Sequence, residues 1–201
     1  MKQFFLLLTF LICFNLVSLG QVFDASKPLE LQIKEYLNGV KRDSSDKTCQ
    51  KLLFDFYYCF ESDSGQANPR MISAMMNLFK YKADQNLPNR QIAVLLYEYI
   101  NSVDKPEQAL IWIRALKDEY KNVYGQTHPL IYLYEGESLI NSNQYSKAYK
   151  HFKEFQKEYP QSIMAMCYIY ETEPDNNLKK TWLSVLKSEH PNHWLVKRYK
   201  E

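Results

Sequence analysis

The chain has 201 residues, with 25 basic and 23 acidic side chains, a formal net charge of +2 and 46% hydrophobic residues. This length and composition predict a soluble globular chain with one sizeable core. The charge balance excludes a strongly cationic nucleic-acid binder and an acidic disordered tail. The five Gly and eight Pro are too few for a turn-dense β-sandwich or a collagen-like chain.

Residues 1–20 have the form of a secretory signal peptide. Lys2 precedes an apolar run from Phe4 to Ile12, and the small residues Ser18 and Gly20 end the segment before Gln21. A basic start, an apolar stretch of roughly 7–15 residues and a small-residue exit are typical of exported chains. We therefore expect cleavage between Gly20 and Gln21, a periplasmic or secreted location, and no membrane span in the mature chain. The alternative is an uncleaved anchor, since the apolar region approaches the roughly 17–20 residues that cross a bilayer.

Three cysteines follow the signal segment, namely Cys49, Cys59 and Cys167. Cys49 and Cys59 lie on one predicted helix, so their Cα atoms are about 15 Å apart, beyond the roughly 7 Å that a disulfide tolerates. Cys167 could pair with either of them. Three is a poor count for a disulfide framework, which favours buried thiols instead.

Apolar residues recur at helical spacing along the mature chain, and no segment alternates cleanly with a period of two. The predicted helices begin, in chain order, near Pro28, Asp46, Pro69, Asn89, Pro106, Pro129, Tyr145, Ser162, Leu178 and Pro191. Asn68-Pro69 is a helix cap followed by proline at the first helical position. Asp104 to Glu107 has the form of a capping box, and residues 62–68 and 122–128 are predicted loops. The sequence therefore predicts an all-α chain of nine or ten helices.

One segment, Pro129 to Pro160, has a specific pattern of small and aromatic residues. Gly136 stands in its first helix, Ala148 and Phe152 stand in its second, and Pro160 closes the unit. The segment resembles a tetratricopeptide repeat, most closely the variant of bacterial envelope proteins. In that family a small residue lets the two antiparallel helices approach, an alanine lies at their crossing, and an aromatic residue fills the gap one turn later. The resemblance implies a short α-solenoid.

Two other stretches repeat the pattern more loosely. Arg90 to Tyr120 has Ala109 at the crossing place, and Ser162 to Pro191 has the length of a shortened third unit. Residues 26–83 match only in the spacing of their helices. We therefore divide the chain into the signal peptide (1–20), an N-terminal helical region (21–89) and a tetratricopeptide-like region (90–201). The alternative is a non-repetitive helical bundle that contains one such motif.

Stacked helix pairs form a curved array with a groove lined by the first helix of each pair. The resemblance implies seven groove-facing residues: Leu130, Leu133, Glu137 and Ile140 in the best-matching unit, and Gln91, Val94 and Glu98 in the unit before it. This apolar and acidic lining suits an extended or helical peptide with apolar anchors and a basic group. It lacks the Lys and Asn set with which some family members hold a C-terminal carboxylate.

No pattern typical of catalysis or of a metal site stands out in the sequence. A glycine-rich phosphate loop, a nucleophile elbow and a His-Glu-x-x-His motif are all missing. His190 and His193 approach metal-ligand spacing, but Pro191 breaks the helix that would align them. We interpret His151, on a lysine-rich helix, as a solvated surface residue. The basic residues Lys179, Lys180 and 197–200 are read as solvated surface, with weak contact to anionic lipid or glycan as the alternative.

These observations favour a non-enzymatic adaptor that binds a protein or peptide partner in the cell envelope or outside the cell, with no cofactor, metal or nucleic acid. The alternative is a glycan- or cell-wall-associated helper that uses surface tyrosines and tryptophans, among them Trp112, Trp182 and Trp194. An enzyme with an unrecognised helical active site is a third hypothesis.

Overall fold

The computed structural model describes residues 23, 24 and 26–199, without the side chains of residues 82 and 83. The predicted signal peptide lies outside the described residues. The described part contains nine α-helices: α1 (Leu29–Leu37), α2 (Thr48–Phe60), α3 (Pro69–Asp84), α4 (Arg90–Asn101), α5 (Pro106–Tyr124), α6 (Pro129–Asn141), α7 (Tyr145–Glu158), α8 (Ile163–Thr172) and α9 (Asn176–Glu189). A short 3-10 helix, Val196–Arg198, follows α9. No strand lies in this part of the chain, and the all-α prediction is confirmed.

Consecutive helices pack against each other from α2 through α9, and α1 packs on α5. The result is a solenoid-like stack of neighbouring helix pairs. We call α4 to α9 the helix array, in which α4, α6 and α8 are the first helices of their pairs. Side chains also join these first helices: the Tyr99 and Tyr134 rings stack with centroids 5.1 Å apart, and the Tyr99 hydroxyl donates to the Tyr134 carbonyl oxygen at 3.3 Å.

The pair α6–α7 is held by a small residue facing an aromatic ring. A Cβ atom added at Gly136 would overlap the ring of Phe152, so only glycine permits this approach of the two helices. Phe152 and Ala148 are both completely buried. The Phe152 ring stacks in turn on Tyr168 of α8, with centroids 4.7 Å apart. The contact that the sequence pattern predicts between positions 136 and 152 is present.

One edge of the helix array is covered by residues 41–61, which we call the edge segment. This segment contacts the N-cap residue, directly before the first turn, of each first helix. The Asn89 side chain at the start of α4 accepts from Asp43 N at 3.0 Å and donates to the Asp43 carbonyl at 2.8 Å. His128 at the start of α6 lies against the Phe54 ring, with centroids 4.1 Å apart. Ser162 at the start of α8 shares a 2.7 Å hydrogen bond with the Tyr57 hydroxyl.

The edge segment ends on a carboxylate at the N-terminus of α8. Glu61 accepts hydrogen bonds from Ile163 N at 2.7 Å, from Met164 N at 3.2 Å and from the Ser162 hydroxyl at 2.7 Å. The first N–H groups of a helix have no partner within the helix, and the helix dipole there favours a negative charge. Glu61 therefore caps α8 from a distance of about one hundred residues along the sequence.

The C-terminal residues of the described chain contact the end of α2, next to Glu61. His193 Nε2 and Trp194 Nε1 both lie within hydrogen-bond distance of the Phe60 carbonyl oxygen, at 2.9 and 2.8 Å. The Trp194 ring covers Gly65, which has a left-handed backbone with φ of 62° and no room for a Cβ atom. The second helix and the C-terminal residues are thus fastened together.

The structure corrects two details of the predicted helix bounds. Residues 122–128 are not all loop, because α5 continues to Tyr124 and keeps Val123 buried. Gly125 then ends the helix, and its N–H bonds to the Lys121 carbonyl at 2.8 Å. The predicted capping box at Asp104 is also wrong, since α5 follows Lys105, whose side chain makes no capping bond.

Candidate partner-binding surface

The seven predicted groove residues fall into two groups. Five are buried, with exposed fractions between 0% and 7%: Gln91, Val94, Leu130, Leu133 and Ile140. The other two, Glu98 and Glu137, are partly exposed. A binding role for the set stays a prediction, but only the two glutamates are placed where a partner could reach them without a rearrangement.

Packing within the chain explains why four of the five residues are buried. Leu130, Leu133 and Ile140 belong to the continuous hydrophobic core, and α2 packs across α6, which carries all three. Gln91 donates to Glu119 Oε1 at 2.7 Å. Glu119 is itself buried and accepts two further bonds from the Arg42 guanidinium, at 2.7 and 2.9 Å. Gln91 therefore supports an ion pair between the buried Glu119 of α5 and the exposed Arg42 of the edge segment.

The partly exposed glutamates belong to a row of three. Glu98, Glu137 and Glu171 each stand nine residues after the N-cap residue of their helix, in α4, α6 and α8 respectively. All three are partly exposed. The Tyr168 hydroxyl donates to Glu137 Oε1 at 2.5 Å, and the Tyr199 hydroxyl donates to Glu171 Oε1 at 2.8 Å. We call these residues the glutamate row.

Partial burial changes the protonation of the glutamate row. Burial raises the pKa of Glu137 to about 7, and it also raises the pKa values of Glu98 and Glu171. A carboxyl group removed from water favours its neutral form, and a nearby cation favours the charged form. The row can therefore accept a basic group, and Glu137 would lose its proton when such a group arrives.

A second polar cluster, between α5, α6 and α7, is structural. Glu135 pairs with Lys117 Nζ at 2.9 Å and with Arg114 Nε at 3.5 Å. His151 is buried, contrary to the prediction of a surface position, and its Nε2 lies 2.8 Å from the Tyr132 carbonyl oxygen. Burial lowers the pKa of His151, so the ring is neutral and donates to that carbonyl. The sequence prediction failed because the lysines beside it occupy the other side of α7.

Three other sequence predictions concern tryptophans and thiols. Trp112 is buried, with 1% of its surface exposed, and its ring meets Phe23 at 4.6 Å between centroids. It is therefore not a surface aromatic, whereas Trp182 and Trp194 are partly exposed. No disulfide joins Cys49, Cys59 and Cys167 to one another, and Cys49 and Cys167 are buried. Burial of Cys167 raises its pKa to about 12, which makes this thiol unreactive at neutral pH.

A cleft of about 460 Å³ lies between α1 and α5. Its walls carry charges of both signs, among them Lys34, Arg114 and Asp118, over an apolar floor that includes Ile111 and Ala115. Arg42 at its rim is already paired with Glu119. The mixed charges of the cleft point to no particular ligand.

Sequence reasoning missed the polar residues that join the edge segment to the helix array. His128 begins α6 by accepting the Leu130 N–H on Nδ1 at 3.1 Å, although histidine is not among the favoured capping residues. Glu61 contributes to a helix far along the chain. The place of His128 directly before Pro129 could have identified it as a capping residue. No local sequence pattern identifies Glu61 as one.

Comparison with protein-family models, with curated proteins and with solved structures finds no match to this chain. Within the described range, no His, Cys, Asp and Glu side chains come together in a group of three that could hold a metal ion. No helix in that range combines the length and apolar character needed to cross a membrane. The fold therefore defines the chain as an all-α protein of paired, solenoid-like helices.

Proposed function

We propose that this chain is an exported, non-enzymatic adaptor of the tetratricopeptide-like kind, which binds a protein or peptide partner in the periplasm or outside the cell. The signal-like residues 1–20 support export. The proposal rests chiefly on the glutamate row, because three successive first helices carry the same acidic residue at the same position. Repeated side chains on a stacked array present a repeated surface, which is how helical solenoids bind extended partners.

The chemistry of the row indicates the kind of partner. Burial raises the pKa of each of the three carboxyl groups of the row, and a nearby Lys or Arg side chain would favour their charged forms. Neighbouring aromatic rings, such as that of Tyr168, supply apolar contact beside the carboxyl groups. The partner that fits the glutamate row best is a peptide segment with basic residues between apolar ones.

Crosslinking in the native envelope, followed by mass spectrometry, tests the proposal. A variant in which Glu98, Glu137 and Glu171 are all replaced by Gln keeps the shape and the acceptor oxygen of each side chain. We expect it to lose at least nine-tenths of the crosslinked protein partner. The matched control replaces the exposed Glu30, Glu35 and Glu107 by Gln and should crosslink as the wild type does.

Equal crosslinking by both variants would remove the glutamate row from the proposal. Co-sedimentation with purified peptidoglycan, without any protein partner, would favour the cell-wall helper instead. Hydrolytic activity that survives purification and disappears with one His or Glu substitution would replace both hypotheses by an enzyme.

A further inference from the structure

The last helix of the array leaves apolar side chains uncovered. Only Leu186 of α9 is buried, whereas Trp182, Leu183 and Val185 are partly exposed and Leu178 is 50% exposed. Terminal units of helical solenoids normally turn a polar face to solvent. Uncovered apolar residues on a terminal helix therefore indicate a surface that another molecule covers.

Helix α7 extends this surface. Tyr145, Tyr149 and Lys153 follow one another at intervals of four residues along α7 and so share one side of the helix. Tyr145 is 52% exposed. A hydrogen bond to the Glu173 carboxylate raises the pKa of Tyr149, which places its ring beside the start of α9. The Lys153 ammonium lies 5.1 Å from the centre of the Trp182 ring.

These contacts bring two helices together into one surface. We call it the α7–α9 face, formed by Tyr145, Tyr149 and Lys153 of α7 with Leu178 and Trp182 of α9. Each helix has 14 residues and is about 21 Å long. The α7 residues of the face, from Tyr145 to Lys153, extend over about 12 Å, a little more than two helical turns.

Lysines outnumber acids along α7 beside this face, where Glu154 and Glu158 are also exposed. Lys150, Lys153 and Lys157 are exposed on the outer flank of α7, and among the described residues none of them forms an ion pair with a carboxylate. The neighbouring acids are mostly engaged. Glu158 accepts from the Tyr132 hydroxyl at 2.5 Å, and Asp175 caps α9 through two backbone N–H groups.

We propose that the α7–α9 face binds an acidic amphipathic helix of another protein. Its apolar side chains would cover Leu178, Trp182 and the two tyrosines, and its carboxylates would pair with the lysine flank. A lipid surface fits the geometry less well, because the Trp182 ring lies beneath the Lys153 ammonium. This surface is separate from the glutamate row and takes a partner of the opposite charge.

A fluorescently labelled synthetic peptide tests this assignment on the full chain. The peptide has 18 residues, with leucines along one side and glutamates along one flank, and a scrambled peptide of the same composition serves as reference. We expect the wild type to bind the amphipathic peptide at least tenfold more tightly than the scrambled one, with affinity that falls as salt rises. Replacing Lys150, Lys153 and Lys157 by Glu should weaken binding at least tenfold.

Two matched controls separate the face from general charge and hydrophobicity. Replacing the exposed Lys27, Lys80 and Lys105 by Glu changes the net charge equally and should leave the affinity unchanged. Leu178→Ser should weaken binding, whereas Leu31→Ser, at an equally exposed leucine, should not. Circular dichroism verifies that each variant is folded.

Three outcomes would overturn the proposal. The first is binding of the scrambled peptide as tightly as the amphipathic one, and the second is equal weakening by both lysine triples. The third is co-sedimentation with phosphatidylglycerol vesicles that depends on the lysine flank while the peptide fails to bind, which would assign the face to a membrane. The Gln variant of the glutamate row should bind the peptide normally, so the failure of either proposal leaves the other intact.

Discussion

Helices α4 to α9 bury their apolar residues against helices adjacent in the chain, whereas the edge segment contacts residues far along the chain. Within the array, Gly136 and Phe152 meet across a pair of consecutive helices. In the edge segment, Glu61 and Tyr57 reach Ser162 and Ile163. The array thus depends mainly on apolar packing between consecutive helices, and the edge segment adds long-range contacts, both the apolar packing of α2 on α6 and polar bonds at the helix ends. Substitutions in the helix array and in the edge segment should separate their two contributions to stability.

The largest effect is expected in the array. Phe152→Ala removes a fully buried ring and should lower the free energy of unfolding by about 3–5 kcal/mol. Urea denaturation followed by circular dichroism measures the change. Tyr145→Ala, on the same helix but half exposed, should stay within about 0.5 kcal/mol of the wild type. A smaller loss for Phe152→Ala than for Tyr145→Ala would contradict the packing described for α6 and α7.

The edge segment should give a smaller and more local effect. Glu61→Ala leaves the first N–H groups of α8 without their carboxylate, at a cost of about 2 kcal/mol. Hydrogen exchange should accelerate at Ile163 and Met164 and should be unchanged at the start of α4. Glu154→Ala, at an exposed position of α7, is the control. Uniform acceleration over the whole chain would show that Glu61 acts on global stability and not on α8.

Gly136→Ala tests how closely α6 and α7 approach. The added methyl group meets the Phe152 ring, and the overpacking should exceed the gain of about 1 kcal/mol in helix propensity. We expect a net loss of about 1–2 kcal/mol. Combining the change with Phe152→Leu should cost less than the sum of the two single changes. Strict additivity would mean that the two residues do not press on each other.

The smallest effect concerns pH and the glutamate row. The folded-state pKa of Glu137, about 7, lies above its ordinary value of 4.5, so the folded chain holds a proton that the unfolded chain releases. Its contribution to stability is complete below the ordinary value and is lost as the pH rises through 7. Relative to Glu137→Gln, the wild type should lose on the order of 1 kcal/mol between about pH 6 and pH 7. Parallel stability curves for the two proteins would contradict this.

The sequence predicts the array well because its determinants are local. Apolar spacing, prolines at helix edges and the Gly136, Ala148 and Phe152 pattern all act within a few turns, and the structure contains the corresponding helices. The path of the edge segment could not be predicted in this way. Its contacts join residues 46 to 105 positions apart, and no periodicity encodes a pairing at such distance.

The predicted groove shows the same limit at the level of single residues. Position in the repeat identified Glu98 and Glu137, which reach the surface, together with Leu130 and Leu133, which do not. An apolar side chain on a first helix can face a partner or face its own chain. The sequence pattern is the same in both cases, and the packing of α2 on α6 decides between them.

The bonds from His193 and Trp194 to the Phe60 carbonyl have a consequence for how this protein unfolds. Open repeat arrays fray from their ends, since a terminal unit contacts only one neighbour. Here the residues that follow the last helix are hydrogen-bonded to α2, near the opposite end of the sequence. Separating the terminal unit from the array therefore also exposes α2. The molecule should therefore melt in a single cooperative step.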